Sequence, residues 1–299
     1  MLGLVAYLLL APPILVLAPL VGLLLISRPA SLREWWWVVG AGSWVGFAVW
    51  QAGGIAAQTV QAWGIILAGA FLVVMLSRPT AFLPAALGAM VIAVAIMLIW
   101  AAGLGVGWRG LQLAVTREGW EFCRSLVAPQ GTSDSIVPVG SGLGNYVDAL
   151  AEAVGTMAAL FPGLLAVSGL LGLGLAWNWY HRISSRPIGQ LAGPFGQFRF
   201  NDQLMWGAVL GIALVVFPTP APWPNVGANL VLLFGGLYAV RGAAVIRATS
   251  GRLSAGMLIG IGLGIVFLLP LALGGLMSLG LADTWIDFRR RAAPSLSEK

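Results

Sequence analysis

The chain of 299 residues is 59% hydrophobic and only 9% charged, with a mean hydropathy of +0.93. Ordinary soluble domains carry about a quarter charged residues, so too few are present here to clothe a water-facing surface. The net charge of +6 comes from arginines set between apolar runs, where the positive-inside rule expects them, and not from a basic cluster interleaved with aromatics; nucleic acid is excluded as a partner and the lipid bilayer is expected as one.

Long uncharged runs recur from end to end, and about 20 apolar residues cross a typical hydrocarbon core. The fold class expected is therefore all-α: a polytopic transmembrane helical bundle of about eight spans, near 4–26, 35–51, 56–76, 81–103, 157–180, 203–218, 226–247 and 255–281. Stretches such as "VIAVAIMLIWAAGLGVG" do not alternate, which removes the closed β-barrel as the other solution for backbone in lipid. Residues 1–26 lack a basic stretch ahead of their apolar core and read as a retained span rather than a cleaved signal peptide.

The tripeptide Ser-Arg-Pro closes three of these runs, at 27–29, 77–79 and 185–187. Proline disfavours helical geometry in the residue before it, so each arginine marks a helix stop. With eight spans all three loops share one face, together with Arg33, Arg182, Arg199, Arg247 and Arg252, and the positive-inside rule makes that face cytoplasmic. Two groups of arginines do not fit this count, Arg109, Arg117 and Arg124 in the long central connection and Arg289 to Arg291 in the tail. Tryptophans such as Trp35, Trp36, Trp37, Trp179 and Trp285 lie near span ends, where an amphipathic ring prefers the interface. Trp44 and Trp63 fall deeper and read as helix-packing residues.

Residues 108–127 predict one amphipathic interfacial helix. Trp108, Leu111, Val115, Phe122 and Leu126 follow helical spacing, with Arg109, Gln112, Glu121 and Arg124 opposite. The Gly/Pro/Ser-rich residues 128–145 predict a loop, and "GSGLGN" at 140–145 lacks the spacing, preceding strand and lysine of a phosphate-binding turn. Asp148 and Glu152 share a helix face that precedes the next span and is expected to meet water. The segments are thus 1–107, a four-span region; 108–156, the amphipathic helix and connection; 157–291, a second four-span region; and a flexible tail, 292–299.

Candidate functional residues are the polar groups that fall inside spans, because burying them unpaired in hydrocarbon is costly. Asn229, Tyr238 and Arg241 lie on the seventh span; Arg241 is expected to snorkel to the cytoplasmic interface. Asp283 and Asp287 are expected to stack on one helix face, with Arg290 and Arg291 spaced to pair with Asp287. If the last two helices are antiparallel, Asp283 lies level with Asn225 and Asn229 and more than about 20 Å from Arg241, which argues against an ion pair between them. Asp283 would then accept from Asn229 or line a cavity mouth. Glycines 256, 260 and 264 would let the last span pack closely on a neighbour. The single cysteine, Cys123, excludes an internal disulfide, and the single histidine, His181, argues against a His-ligated metal; no cofactor is expected.

"NLVLLFGGLYAVRGAAVI" (229–246) followed by a terminal "GLADTWIDFRRR" (280–291) resembles the YybS-like family of bacterial membrane proteins. The shared pattern falls on Asn229, Leu230, Leu237, Tyr238, Gly242, Ala244, Val245, Asp283, Thr284, Trp285, Asp287, Phe288 and Arg289. The resemblance implies a bacterial inner-membrane protein and names no reaction. Parts of that family are also similar to the substrate-binding components of energy-coupling-factor vitamin transporters. The function expected is a non-catalytic small-molecule binding or transport component, energised by a separate coupling membrane subunit or ATPase; the alternative is a membrane scaffold or envelope-assembly protein with no ligand. An intramembrane enzyme is disfavoured, since no cluster of acids, histidines or metal ligands falls within a span.

Overall fold

The computed structural model describes residues 12–51, 53–77, 81–103, 107–127, 143–191, 193–249 and 269–289. Among them every regular element is helical: α1 (Ile14–Ile26), α2 (Leu32–Trp50), α3 (Ile55–Ser77), α4 (Phe82–Gly103), α5 (Trp108–Val127), α6 (Leu143–Ile183), α7 (Met205–Val216), α8 (Trp223–Thr249) and α9 (Leu269–Ile286). Four are long and apolar enough to cross a membrane unaided: α3, α4, the part of α6 from Asp148 onward, and α8. Apolar side chains on them face outward, among them Val91, Leu98 and Ile99 on α4. Such a surface is stable against lipid and a liability in water. The helical membrane bundle read from composition is therefore what the chain builds, although among the described residues α1, α7 and α9 are shorter than a full span, and residues 4–11 of the first expected span lie outside them.

The chain divides into two compact units, Met1–Leu191 and Ala192–Lys299. The division differs from the segmentation at 107 and 157, because α6 packs against α1, α3, α4 and α5 and so belongs with the N-terminal helices. In the first unit, α1 is the central element, with Leu15, Val16, Leu20 and Leu24 essentially inaccessible. Phe71, Trp177 and Tyr180 are buried together, with the half-buried Phe82 against them; Phe71 and Trp177 meet edge to face at 5.8 Å. Trp63 is a packing residue as expected, and its indole N–H donates to the Leu165 carbonyl at 3.0 Å.

α6 is 41 residues long, about 61 Å at helical rise, roughly twice the thickness of a hydrocarbon core. Its C-terminal part runs alongside α3, with Leu165 at Trp63 and Trp177 at Phe71. Its N-terminal part therefore extends beyond the start of α3. The amphipathic helix α5 packs on this extension, where Gly119 faces Val154 and a shallow groove joins Arg109, Gln112 and Thr116 to Gly155 and Ala158. The helix forms over the residues expected, and the structure gives it a protein partner along α6. Glu118 also reaches the start of α3, where both carboxylate oxygens accept from the Ala56 N–H, at 3.0 and 3.2 Å. Asp148 and Glu152 are exposed, as their spacing predicts.

In the second unit α7 and α8 form an antiparallel hairpin in near-backbone contact at Gly211 and Gly227. α8 and α9 run in the same direction: Gly235 faces Met277, Gly242 meets Gly280, and Ala248 and Arg289 both meet Gly196. The antiparallel pairing expected for the last two helices therefore does not hold; of the expected 255–281 span, the part before 269 lies outside the described residues. The expectation failed because it assumed that successive membrane helices alternate in direction. The shared direction brings Arg289 to the same end of this unit as Arg199 and Arg247, so Arg289 falls in with the positive-inside grouping there. Glycines 256, 260 and 264, the 128–142 part of the connection, Arg252, Arg290, Arg291 and the 292–299 tail lie outside the described residues.

Candidate functional site

The crossing of α8 and α9 is built on glycine. A Cβ at Gly242 would overlap the Leu276 carbonyl oxygen, and one at Gly280 would overlap that of Tyr238. Backbone contact of this kind replaces the hydrophobic driving force that lipid does not supply. It also sets the register that places Arg241 opposite Asp283.

Arg241 and Asp283 form a buried ion pair. The Arg241 Nε lies 3.1 Å from Asp283 Oδ2, with side chains 3% and 0% exposed. This overturns the expected separation of more than about 20 Å, which followed from taking the two helices as antiparallel. Arg241 also does not end in water. Its Nη1 lies 2.7 Å from Asp202 Oδ1, and its guanidinium carbon sits 5.4 Å from the centre of the Phe200 ring. Asp202 opens a short 3₁₀ turn, Asp202–Leu204, whose first turn is capped by Asn201 accepting from the Gln203 N–H. Arg289 completes the group. Its Nη2 reaches Asp283 Oδ2 at 3.1 Å, while Nη1 donates to the carbonyls of Gly196 and Phe198 at 2.8 and 3.0 Å. Two carboxylates and two guanidiniums therefore balance in charge, which is the condition under which burial of ions is tolerable.

Asp287 is elsewhere than expected. α9 ends at Ile286, and Asp287 has a left-handed backbone with φ of 47°. The turn takes its side chain off the face that carries Asp283, and it pairs instead with Arg199. Asn229 is separate as well: its amide donates to the Asn225 carbonyl at 2.7 Å, and it precedes Arg241 by about 18 Å of helical rise. It is not the donor to Asp283. Tyr238 is fully buried, stacks edge to face on Phe200 at 5.1 Å, and its hydroxyl lies beside that of Thr284. Of the five residues singled out from sequence, Tyr238, Arg241 and Asp283 come together; Asn229 and Asp287 do not join them.

Asp202, Phe200 and Arg289 were missed as members of this site. Nothing in the spacing from 202 to 241 or 283 signals contact, because the three positions meet only through the parallel register of α8 and α9. Among the described residues, Asp283 Oδ1 and Arg289 Nε are buried without a hydrogen-bond partner, and the buried Tyr238 and Thr284 hydroxyls face one another with no further partner. The carboxylate oxygen can accept, the hydroxyls can do either, and the guanidinium nitrogen can donate. Such atoms cost about 1–3 kcal/mol each when left unpaired. The group can therefore hold water or a small polar molecule.

No curated protein and no solved structure matches the chain. Residues 138–284, just under half of it and including Asp202, Tyr238, Arg241 and Asp283, match the model of a family described as a predicted membrane protein (DUF2232).

Proposed function

We propose that this protein is a non-catalytic, multi-pass component of a bacterial inner membrane that binds a small polar molecule or takes part in its transport, with energy supplied by a separate coupling subunit or ATPase. The YybS-like placement and the likeness to energy-coupling-factor substrate-binding components belong to the same proposal. The observation that carries it is the Asp283 carboxylate: 0% exposed, held by two arginines on one oxygen and, among the described residues, unbonded on the other. An ionisable group this deep in an apolar helix pair is costly, and in membrane proteins such groups mark ligand and ion pathways. An occupant that donates to Asp283 Oδ1 would remove the cost.

The test is purification of the tagged protein from its native membrane in gentle detergent, with mass spectrometry of the proteins and small molecules retained. An ATPase with a coupling membrane subunit, or a small polar molecule lost from an Asp283→Asn variant, is the expected result. Recovery of envelope-assembly proteins alone, with identical small-molecule content in wild type and variant, would overturn the proposal in favour of a scaffold.

A further inference from the structure

In the first unit, two of the Ser-Arg-Pro loops are brought together by one buried carboxylate. Glu34, in the first turn of α2 and 2% exposed, accepts from the Ala30 N–H at 2.6 Å and the Ser31 N–H at 3.3 Å. Its other oxygen accepts from the Ser185 N–H at 2.6 Å. The loop after α1 and the loop after α6, far apart in sequence, are thereby stapled side by side. Arg33 adds a second link by donating to the Arg182 carbonyl at 3.4 Å.

Four arginines stand around this staple. Arg28 is two residues from Ala30, Arg33 adjoins Glu34, Arg186 adjoins Ser185, and Arg182 is held through its own carbonyl; all four side chains are exposed. The only acidic residue within 27–37 and 177–191 is Glu34, and both its oxygens are already engaged by three backbone N–H groups. None of the four arginines has a carboxylate partner in the ion pairs of the described residues. Arginines that only orient a helix during insertion need no fixed relation to one another. Here the backbone of the two loops that carry them is held together, and Arg28 has a left-handed backbone with φ of 56° at a helix end where glycine or asparagine is usual. Trp36, 77% exposed, sits about one turn into α2, and tryptophan is a residue type that prefers the membrane interface.

We propose that this face is a binding site for the phosphate headgroup of an anionic phospholipid. Guanidiniums match phosphate oxygens in pairs, the loops lie where the apolar helices end, and an anionic headgroup supplies the charge that the protein omits. The site is in the first unit and is independent of the Asp283 group.

The test uses the full chain, delipidated in neutral detergent and titrated with phosphatidylglycerol or with phosphatidylcholine of the same acyl chains. Bound lipid is counted by native mass spectrometry, and inorganic phosphate forms a separate arm. Phosphatidylglycerol is expected to bind in preference, and Arg28→Gln with Arg186→Gln to weaken it about five-fold for each arginine removed. The Arg28→Lys with Arg186→Lys variant keeps both cations and is expected to keep most of the binding. The proposal is overturned if the two lipids bind alike, if the Gln variant binds as the wild type does, if the Lys variant loses as much as the Gln variant, or if inorganic phosphate displaces the lipid headgroup.

Discussion

Replacing Arg241 and Asp283 singly and together measures how far the α8–α9 contact depends on their charges. The two side chains are 3% and 0% exposed and meet at 3.1 Å. Opposite charges about 4 Å apart attract by about 4 kcal/mol at an effective dielectric constant of about 20. Desolvation offsets much of that, so the useful quantity is the cost of leaving one partner stranded. Arg241→Met leaves Asp283 to Arg289 alone and returns Asp202, 60% exposed, to water. We expect a loss of about 3 kcal/mol, the lower end of the range for breaking a buried pair. Asp283→Leu strands two cations, but Arg241 keeps Asp202 and Arg289 keeps two carbonyls; the expected loss is about 2 kcal/mol. In the double variant neither stranded partner of the pair remains, and the cost should fall short of the sum by about 2 kcal/mol. The assay is reversible unfolding in mixed micelles titrated with a denaturing detergent and followed by circular dichroism. Hydrogen-bonded pairs between membrane helices average about 0.6 kcal/mol. A coupling no larger than that, with both single variants near wild-type stability, would refute the view that this network holds α9 in register.

Gly242→Ala should destabilise by about 2 kcal/mol or more in the same assay, because the new methyl overlaps the Leu276 carbonyl and drives the helices apart; alanine otherwise favours a helix over glycine by about 1 kcal/mol, so unchanged or raised stability would show that the backbones are not in contact. Glu34 gives a pH-dependent prediction. The Ser185 N–H, against the opposing effect of burial and with help from Ala30 and Ser31, lowers its pKa from 4.5 to about 2. A depressed folded-state value means that its stabilisation is present above pH 4.5 and is lost as pH falls towards 2. Glu34→Gln should therefore cost about 2 kcal/mol near neutral pH, and the difference from wild type should shrink across that acid window. Parallel pH profiles for the two proteins would contradict it.

Much of the architecture was legible because it is decided locally. Apolar runs long enough to bridge hydrocarbon must become helices, since no water is present there to satisfy a backbone in any other form. That reasoning placed α3, α4 and α8 almost residue for residue, gave α5 its amphipathic face, and left Asp148 and Glu152 exposed. It also picked out Tyr238, Arg241 and Asp283 as costly polar groups within apolar surroundings. Helix direction and register were not legible. Whether α8 and α9 are parallel depends on where the chain turns back, and whether Arg241 meets Asp283 depends on that direction and on the Gly242–Gly280 contact. The same holds for Glu34, whose capping pattern Ser31-x-x-Glu34 is visible in sequence while its bond to Ser185 is not. Composition and periodicity determined which segments are helices and which faces are apolar, because both follow from the solvent around each residue. Only the tertiary structure decided which buried charges became partners, because that follows from how closely two backbones can approach.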